Sequence, residues 1–165
     1  MPRARFSTLL GDCVITWGDA GLTGFSLPND RTCAEAEAVA TEPPPWVREI
    51  IARVQRHLAG EPQDFSDVRY DFSGVPAFNQ RVLRATLAIP PGHTATYGQI
   101  AAAIAEPPTA SRGVGAALGA NRWPLLIPCH RITGADGKMT GFSGPGGVAT
   151  KVKLLALEGA QLLAE

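Results

Sequence analysis

Leu125-Leu126-Ile127-Pro128-Cys129-His130-Arg131 joins an apolar run to a proline and then to a cysteine–histidine pair. Three branched aliphatics bounded by proline read as the end of a buried strand, because proline has no N–H to give to a ladder. That places Cys129 at the rim of whatever pocket lies beyond. A free cysteine is only a few per cent thiolate at neutral pH, so a nucleophilic one needs a base or a cation beside it. His130 is the nearest candidate base, and Glu158 is a candidate to orient it as the third member of a relay. Adjacent side chains on a strand point to opposite faces, so a Cys129–His130 interaction calls for a bend or a bridging water. Taken alone, the four residues from Pro128 fit a structural cysteine beside an incidental histidine equally well.

On the N-terminal side, residues 6–9, 13–17 and 22–27 read as the strands of a meander, separated by Gly11-Asp12 and Gly18-Asp19-Ala20-Gly21. Residues 28–45 are polar and rich in alanine and proline, a loop with a helical turn near 34–40. Residues 46–59 place Val47, Ile50, Ile51, Val54 and Leu58 at helical spacing, with Gly60 as the stop. Residues 68–72 read as one more strand. Gly74-Val75-Pro76 is the predicted joint between an α/β part, 1–75, and a mostly helical part, 76–165.

Within the second part, Phe78, Val82, Leu83, Thr86 and Leu87 mark one helix, which ends at Pro90-Pro91-Gly92. Residues 97–105 form a short amphipathic helix, broken by Pro107-Pro108. A second follows through Gly119, with Thr109 or Ser111 as its cap. Two short helices across a tight turn read as a helix-turn-helix. Residues 134–147 are a glycine-rich hairpin or loop, and 148–160 form the last helix.

At 165 residues, 45% hydrophobic and 18% charged, the chain has the composition of a globular protein, and no apolar run approaches a membrane span. Met1-Pro2-Arg3-Ala4-Arg5 is basic but no long apolar segment follows, so the protein is expected in the cytoplasm, with the nucleoid if its source is bacterial. Cys13, Cys33 and Cys129 are an odd number without a CxxC pair, which points to a reducing compartment and away from a disulfide framework. They also leave too few ligands for a convincing zinc site. Formal net charge is zero, but residues 1–75 carry 7 Lys+Arg against 11 Asp+Glu, and residues 76–165 carry 8 against 4. The basic half is the one with the cysteine, a modest argument for a polyanionic partner there.

Ile127-Pro128-Cys129-His130-Arg131-Ile132 resembles the active-site motif of the O6-alkylguanine-DNA alkyltransferases, the methylated-DNA–protein-cysteine methyltransferases. Two further matches keep the family's order: Ser111-Arg112-Gly113-Val114-Gly115-Ala116-Ala117 with Asn121, and Gly137-Lys138-Met139-Thr140-Gly141-Phe142-Ser143-Gly144 leading to Lys153-Leu154-Leu155-Ala156-Leu157-Glu158-Gly159. The resemblance covers roughly residues 76–165 well and the first 75 loosely. It implies a ribonuclease-H-like α/β N-terminal domain and a helical, winged-helix-like C-terminal domain. It also implies double-stranded DNA carrying O6-alkylguanine as the partner, bound in the minor groove by a monomer, with no cofactor, no metal and no membrane.

By the same resemblance, Cys129 takes the alkyl group in a single turnover, with His130 and Glu158 activating it. Tyr97 and Ser143 would donate to the extruded base. Carbonyls at Cys129 and Ile132 would accept from its amino group, and Pro124, Met139 and Phe142 would wall the alkyl slot. Arg112 resembles the family's intercalating arginine, and Gly113 and Ala117 belong to the helix laid against the groove. Asn121 resembles its hinge asparagine. Some relatives hold zinc in the N-terminal part, which makes Cys13, Cys33 and His93 the residues to check. Arg122-Trp123, in place of the family's usual proline after Asn121, and the longer loop at Pro145-Gly146-Gly147 depart from the pattern; the former is expected to alter the approach to DNA. Two other readings compete. A non-catalytic alkylguanine binder would carry another residue at position 129, and a cysteine hydrolase would need an oxyanion hole for which no motif is visible.

Overall fold

The computed structural model describes residues 2–28, 42–134 and 147–159. They form a mixed α/β chain with a small sheet and helices. Strands β1 (Arg3–Thr8), β2 (Gly11–Gly18) and β3 (Gly21–Ser26) make an antiparallel meander in the order β1-β2-β3, with Phe6 opposite Cys13 and Ile15 opposite Phe25. Gly21, at φ 139°, starts β3 where a Cβ would lie 2.5 Å from the Arg69 carbonyl oxygen, so only glycine fits. That close approach seats the chain at 69–71 on the edge of β3: Leu22 N–H donates to Arg69 O and Asp71 N–H to Leu22 O, both at 2.8 Å.

The strand expected at 68–72 is reduced to this one bridge, Leu22 with Tyr70. A turn from Phe65 to Val68 precedes it, and the Asp71 carboxylate takes the Ser73 N–H at 3.0 Å just after. Such an Asx turn leaves no length for a ladder.

Helix α1 (Pro45–Leu58) starts on proline, whose fixed φ suits a first helical turn, and buries Val47, Ile50, Val54, His57 and Leu58. This stripe meets the sheet in the main core with Ile15, Trp17, Leu22 and Phe25. Helix α2 (Ala77–Leu87) buries Val82, Leu83 and Thr86. It packs with α3 (Tyr97–Ala103) and α4 (Ser111–Gly119) around a second cluster that includes Ile100, Ala101, Val114, Ala117 and Leu118. Thr96 and Gln99 form a reciprocal capping box on α3. Neither expected cap of α4 forms. Its N-cap is Ala110, and Ser111 instead donates its hydroxyl to Pro108 O at 2.8 Å. The 3-10 turn Pro108–Ala110 feeds the chain in with helical geometry already set.

The apolar run before the cysteine is a buried turn, not a strand. Leu125 takes φ 78°, Ile127 N–H returns to Trp123 O at 2.9 Å, and Pro124 and Ile127 share an isolated bridge. Leu125, Leu126 and Ile127 all fill the main core, which is why the run is apolar. A 3-10 turn at Cys129–Arg131 follows, then β5 (Ile132–Thr133), which pairs in parallel with β4 (Ala95–Thr96). Helix α5 (Gly147–Leu157) lies across this turn and sends Leu154 into the main core. Among the described residues no helix is long and apolar enough to cross a membrane.

Trp123, one of the two residues that depart from the family pattern, faces inward. It is fully buried, its indole N–H donates to Leu22 O at 3.0 Å, and its ring meets Tyr70 and Phe72 edge-on at 5.6 and 5.4 Å. Arg122 turns the same way: its carbonyl takes Phe25 N–H at 2.8 Å and its guanidinium reaches Ser73 O at 3.0 Å. The pair fastens the segment after α4 to the N-terminal sheet. Trp123→Ala is predicted to cost about 3–5 kcal/mol, the usual range for emptying a buried aromatic site, as read from urea unfolding.

Candidate active site

The turn at 129–131 is what separates the cysteine from the histidine. Cys129 N–H donates to Ile127 O at 2.7 Å and Arg131 N–H to Pro128 O at 2.9 Å, winding the backbone tightly. Cys129 is left half-buried against the second cluster, near Tyr97, while His130 and Arg131 are buried. The chain is therefore bent at the pair, not extended.

His130 and Arg131 converge on Glu158, just past the end of α5, whose side chain is fully buried. Arg131 Nε donates to Oε1 at 2.9 Å, and its Nη2 to Oε2 at 2.8 Å; Nη1 goes to Ile89 O at 2.6 Å. His130 Nε2 lies 2.8 Å from Oε2, and so does His57 Nε2 from the end of α1. Burial alone would raise the Glu158 pKa; the bonds from Arg131, His130 and His57 outweigh it and hold the carboxyl well below the usual carboxylate range.

Burial pushes His130 below its ordinary value, against the pull of Glu158. With its Nε2 proton directed at the carboxylate, its Nδ1 is the unprotonated ring nitrogen, an acceptor. That Nδ1 is buried and has no hydrogen-bond partner. Burial likewise raises the Cys129 thiol pKa; the Asn121 side chain, the Lys151 ammonium and the amides of Cys129 and His130 act in the opposite direction. Lys151 is buried and donates to Ile132 O. Desolvation brings its pKa down to about 8, with the Cys129 charge resisting. Burial, then the Cys129 charge, raises Tyr97. Cys129, Tyr97, Lys151 and Asn121 thus sit within electrostatic reach of one another.

Asn121 also spans the hinge. Its Nδ2 donates to Ile127 O at 3.0 Å and its Oδ1 accepts Trp123 N–H at 2.9 Å, tying the end of α4 to the turn before the cysteine. Arg112 is exposed on the first turn of α4. Gly113 is exposed too, and a Cβ there would come 3.3 Å from the Phe78 ring, so its smallness serves α2–α4 packing. Ala117 is 1% exposed and belongs to the second cluster. It faces the core, one residue on from the exposed Ala116, so it packs inside the molecule and is not on the face expected to meet the groove.

Pro124 is half-buried; Ile132 is buried with its carbonyl already bonded to Lys151. Met139, Phe142 and Ser143 lie outside the described residues, as does Cys33. Cys13 is buried in β2 and His93 is exposed; among the described residues no group of three or more His, Cys, Asp or Glu could hold a metal ion.

Two residues were missed in the sequence. His57 follows Val54 at i+3 on the apolar stripe of α1, and that position was the available signal. Lys151 had none, since a lone lysine reads as a solvated cation.

A half-buried thiol next in sequence to a carboxylate-fixed imidazole has the residue types of a protein that uses cysteine as a nucleophile. Residues 77–160 match the family described as 6-O-methylguanine DNA methyltransferase, DNA binding domain. A methylated-DNA–protein-cysteine methyltransferase of Methanothermobacter thermautotrophicus is 34% identical over 151 residues, 92% of this chain and 81% of that protein. A DNA base-flipping protein of Thermus thermophilus is 39% identical over 107 residues, 65% of this chain and 69% of that one. Among solved structures, Mycobacterium tuberculosis OGT in complex with DNA superposes with a TM-score of 0.79 at 34% identity, covering 96% of this chain and 93% of that one. The chain belongs to the methylated-DNA–protein-cysteine methyltransferase family.

The pKa shifts set the acid limb of stability. His130 and Glu158 are both held below their ordinary values of 6.5 and 4.5, so the unfolded chain binds more protons than the folded one. Their contribution is full above those values and is lost as pH falls, first through 6.5 and then below 4.5. Urea midpoints are predicted to fall in that order. Glu158→Gln lacks the lower-pH portion but starts about 3–5 kcal/mol less stable, because it strands buried Arg131. For the thiol, Lys151→Met is predicted to move iodoacetamide alkylation of Cys129, followed by peptide mass, to higher pH. That charge favours the thiolate, and removing it leaves burial less opposed.

Proposed function

We propose that Cys129 removes the alkyl group from O6 of guanine in duplex DNA and keeps it. The observation that carries this is the buried, unpartnered Nδ1 of His130, whose other nitrogen is fixed on Glu158. Buried polar atoms normally have a partner or an ordered water, so a base position left open beside a cysteine is a place for the thiol proton to go. The balance is simple. The Cys129 proton passes to His130 Nδ1 through a water; the thiolate forms a bond to the alkyl carbon as that carbon's bond to O6 breaks. The electron pair leaves on the purine, which takes up a proton with Tyr97 as donor. The thioether has no leaving group, so each protein acts once.

A base inside a duplex cannot reach this sulfur, so the nucleotide is extruded, at a cost of a few kcal/mol that is least for a poorly pairing damaged base. In this reading α3, the 3-10 turn and α4 are a helix-turn-helix of winged-helix type. They lie in the minor groove with exposed Arg112 in the place of the flipped base and Gly113 close to the wall. Residues 1–75 form a ribonuclease-H-like domain, 76–165 the transfer domain, and the protein acts as a cytoplasmic monomer. Met139, Phe142 and Pro124 wall the slot and Ser143 contacts the base. The likeness to a DNA-bound OGT and to a DNA base-flipping protein supports this reading.

Incubated with a duplex containing O6-methylguanine, the protein is predicted to gain the mass of one methyl group on Cys129, stoichiometrically. Turnover without an adduct would instead mean a hydrolase, and a gel shift without added mass a pure binder. Cys129→Ser should bind the duplex, more weakly as salt rises, and transfer nothing. Arg112→Ala should slow repair of the duplex far more than reaction with the free base O6-benzylguanine; equal losses on both would remove Arg112 from the flipping step.

A further inference from the structure

His57 has no part in the reaction as just described, yet it meets the carboxylate on which the reaction depends. It is 1% exposed, on the last turn of α1, 101 residues from Glu158 in sequence. Its orientation is fixed from both sides. Gln63 N–H donates to Nδ1 at 2.9 Å, so the ring proton is on Nε2, and Nε2 points at Glu158 Oε2 at 2.8 Å. The Phe65 ring packs against the imidazole at 5.6 Å between centroids. A core histidine with only a packing role would not need a backbone amide setting its tautomer toward one particular oxygen.

That oxygen is the one that also holds His130. Arg131 grips both oxygens of Glu158 along one edge, with one bond to each, which fixes the plane of the carboxylate. His57 approaches from α1, an element to which neither Arg131 nor His130 belongs, and ties Oε2 to that helix by a bond of its own. The position of Oε2 in turn aims the His130 ring, and with it Nδ1. We infer that His57 is a positioning residue for alkyl transfer: it registers Glu158, and through it the His130 base, against the N-terminal half of the protein. The inference rests on the assignment of His130 as the base for Cys129, and it goes further by placing one determinant of that base in residues 1–75.

The test compares His57→Phe, which keeps the bulk and loses the donor, with His57→Gln, whose amide restores an N–H. The readouts are the rate of methyl transfer from an O6-methylguanine duplex, the affinity for that duplex, and the rate of Cys129 alkylation by iodoacetamide. His57→Phe is expected to slow both reactions by about tenfold or more, a fraction of the roughly 10²–10⁴ that a positioned base supplies. Duplex affinity should be unchanged, and His57→Gln should recover most of the rate.

Wild-type rates in His57→Phe, or a Gln variant no better than Phe at equal folded fraction, would overturn the inference. Should His57→Phe not fold, nitrogen-15 spectra of the imidazoles in the wild type and in His57→Asn, whose amide is too short to replace the Nε2 donor, decide. The His130 Nε2–H resonance must move on substitution, and an unmoved resonance refutes the coupling. If the wild type transfers no methyl group at all, the alkyl-transfer reading fails. The iodoacetamide arm still reports on His57 by itself.

Discussion

A single buried carboxylate gathers the chemistry of this molecule. Glu158 takes four hydrogen bonds from three side chains, Arg131, His130 and His57, which arrive from a 3-10 turn and from the far helix α1. An ion in that position is expensive to desolvate, and only a full set of charged and polar donors makes it tolerable. Having been made tolerable, it cannot easily be moved, and that immobility is what a general base needs from its orienting partner. In the proposed transfer, stability and reactivity draw on the same four bonds.

The architecture explains how donors so distant in sequence come together. The sheet and α1 form one wall of the main core, and Leu125, Leu126, Ile127 and Leu154 form the other, bracketing the turn at 129–131. The parallel β4–β5 pair brings the start of α3, with Tyr97, alongside the strand that follows the cysteine. Asn121 and Trp123 bolt the end of α4 to the same turn and to β3. Cys129 packs against the second cluster, while His57, one of the donors to Glu158, lies on the helix that lines the main core.

Much of this was legible in the residues, and what was not has physical reasons. Gly18-Asp19-Ala20-Gly21 announced its hairpin because φ above zero is demanded there, and α1 announced itself by the spacing of Val47, Ile50 and Val54. The Cys129–His130–Glu158 relay came from residue types and family resemblance, and its Glu158–His130 contact has hydrogen-bond geometry. Residues 125–127 were misjudged as a strand because three apolar residues have no period. The left-handed φ at Leu125 leaves no trace in composition. Ala117 looked like its neighbours Gly113 and Ala116, since which face a small residue takes depends on what α4 packs against. His57 went unnoticed because its partner is 101 residues away, a distance no local pattern spans.

That distance has a kinetic side. Contacts between residues so far apart require a long loop to close before they return any energy, so they form late and slow the folding of chains that rely on them. Until residues 57 and 158 have met, the Glu158 carboxylate lacks one of its four hydrogen bonds. The buried carboxylate thus gains its full set of donors only after a separation of 101 residues has been closed, and it is costly to bury until then.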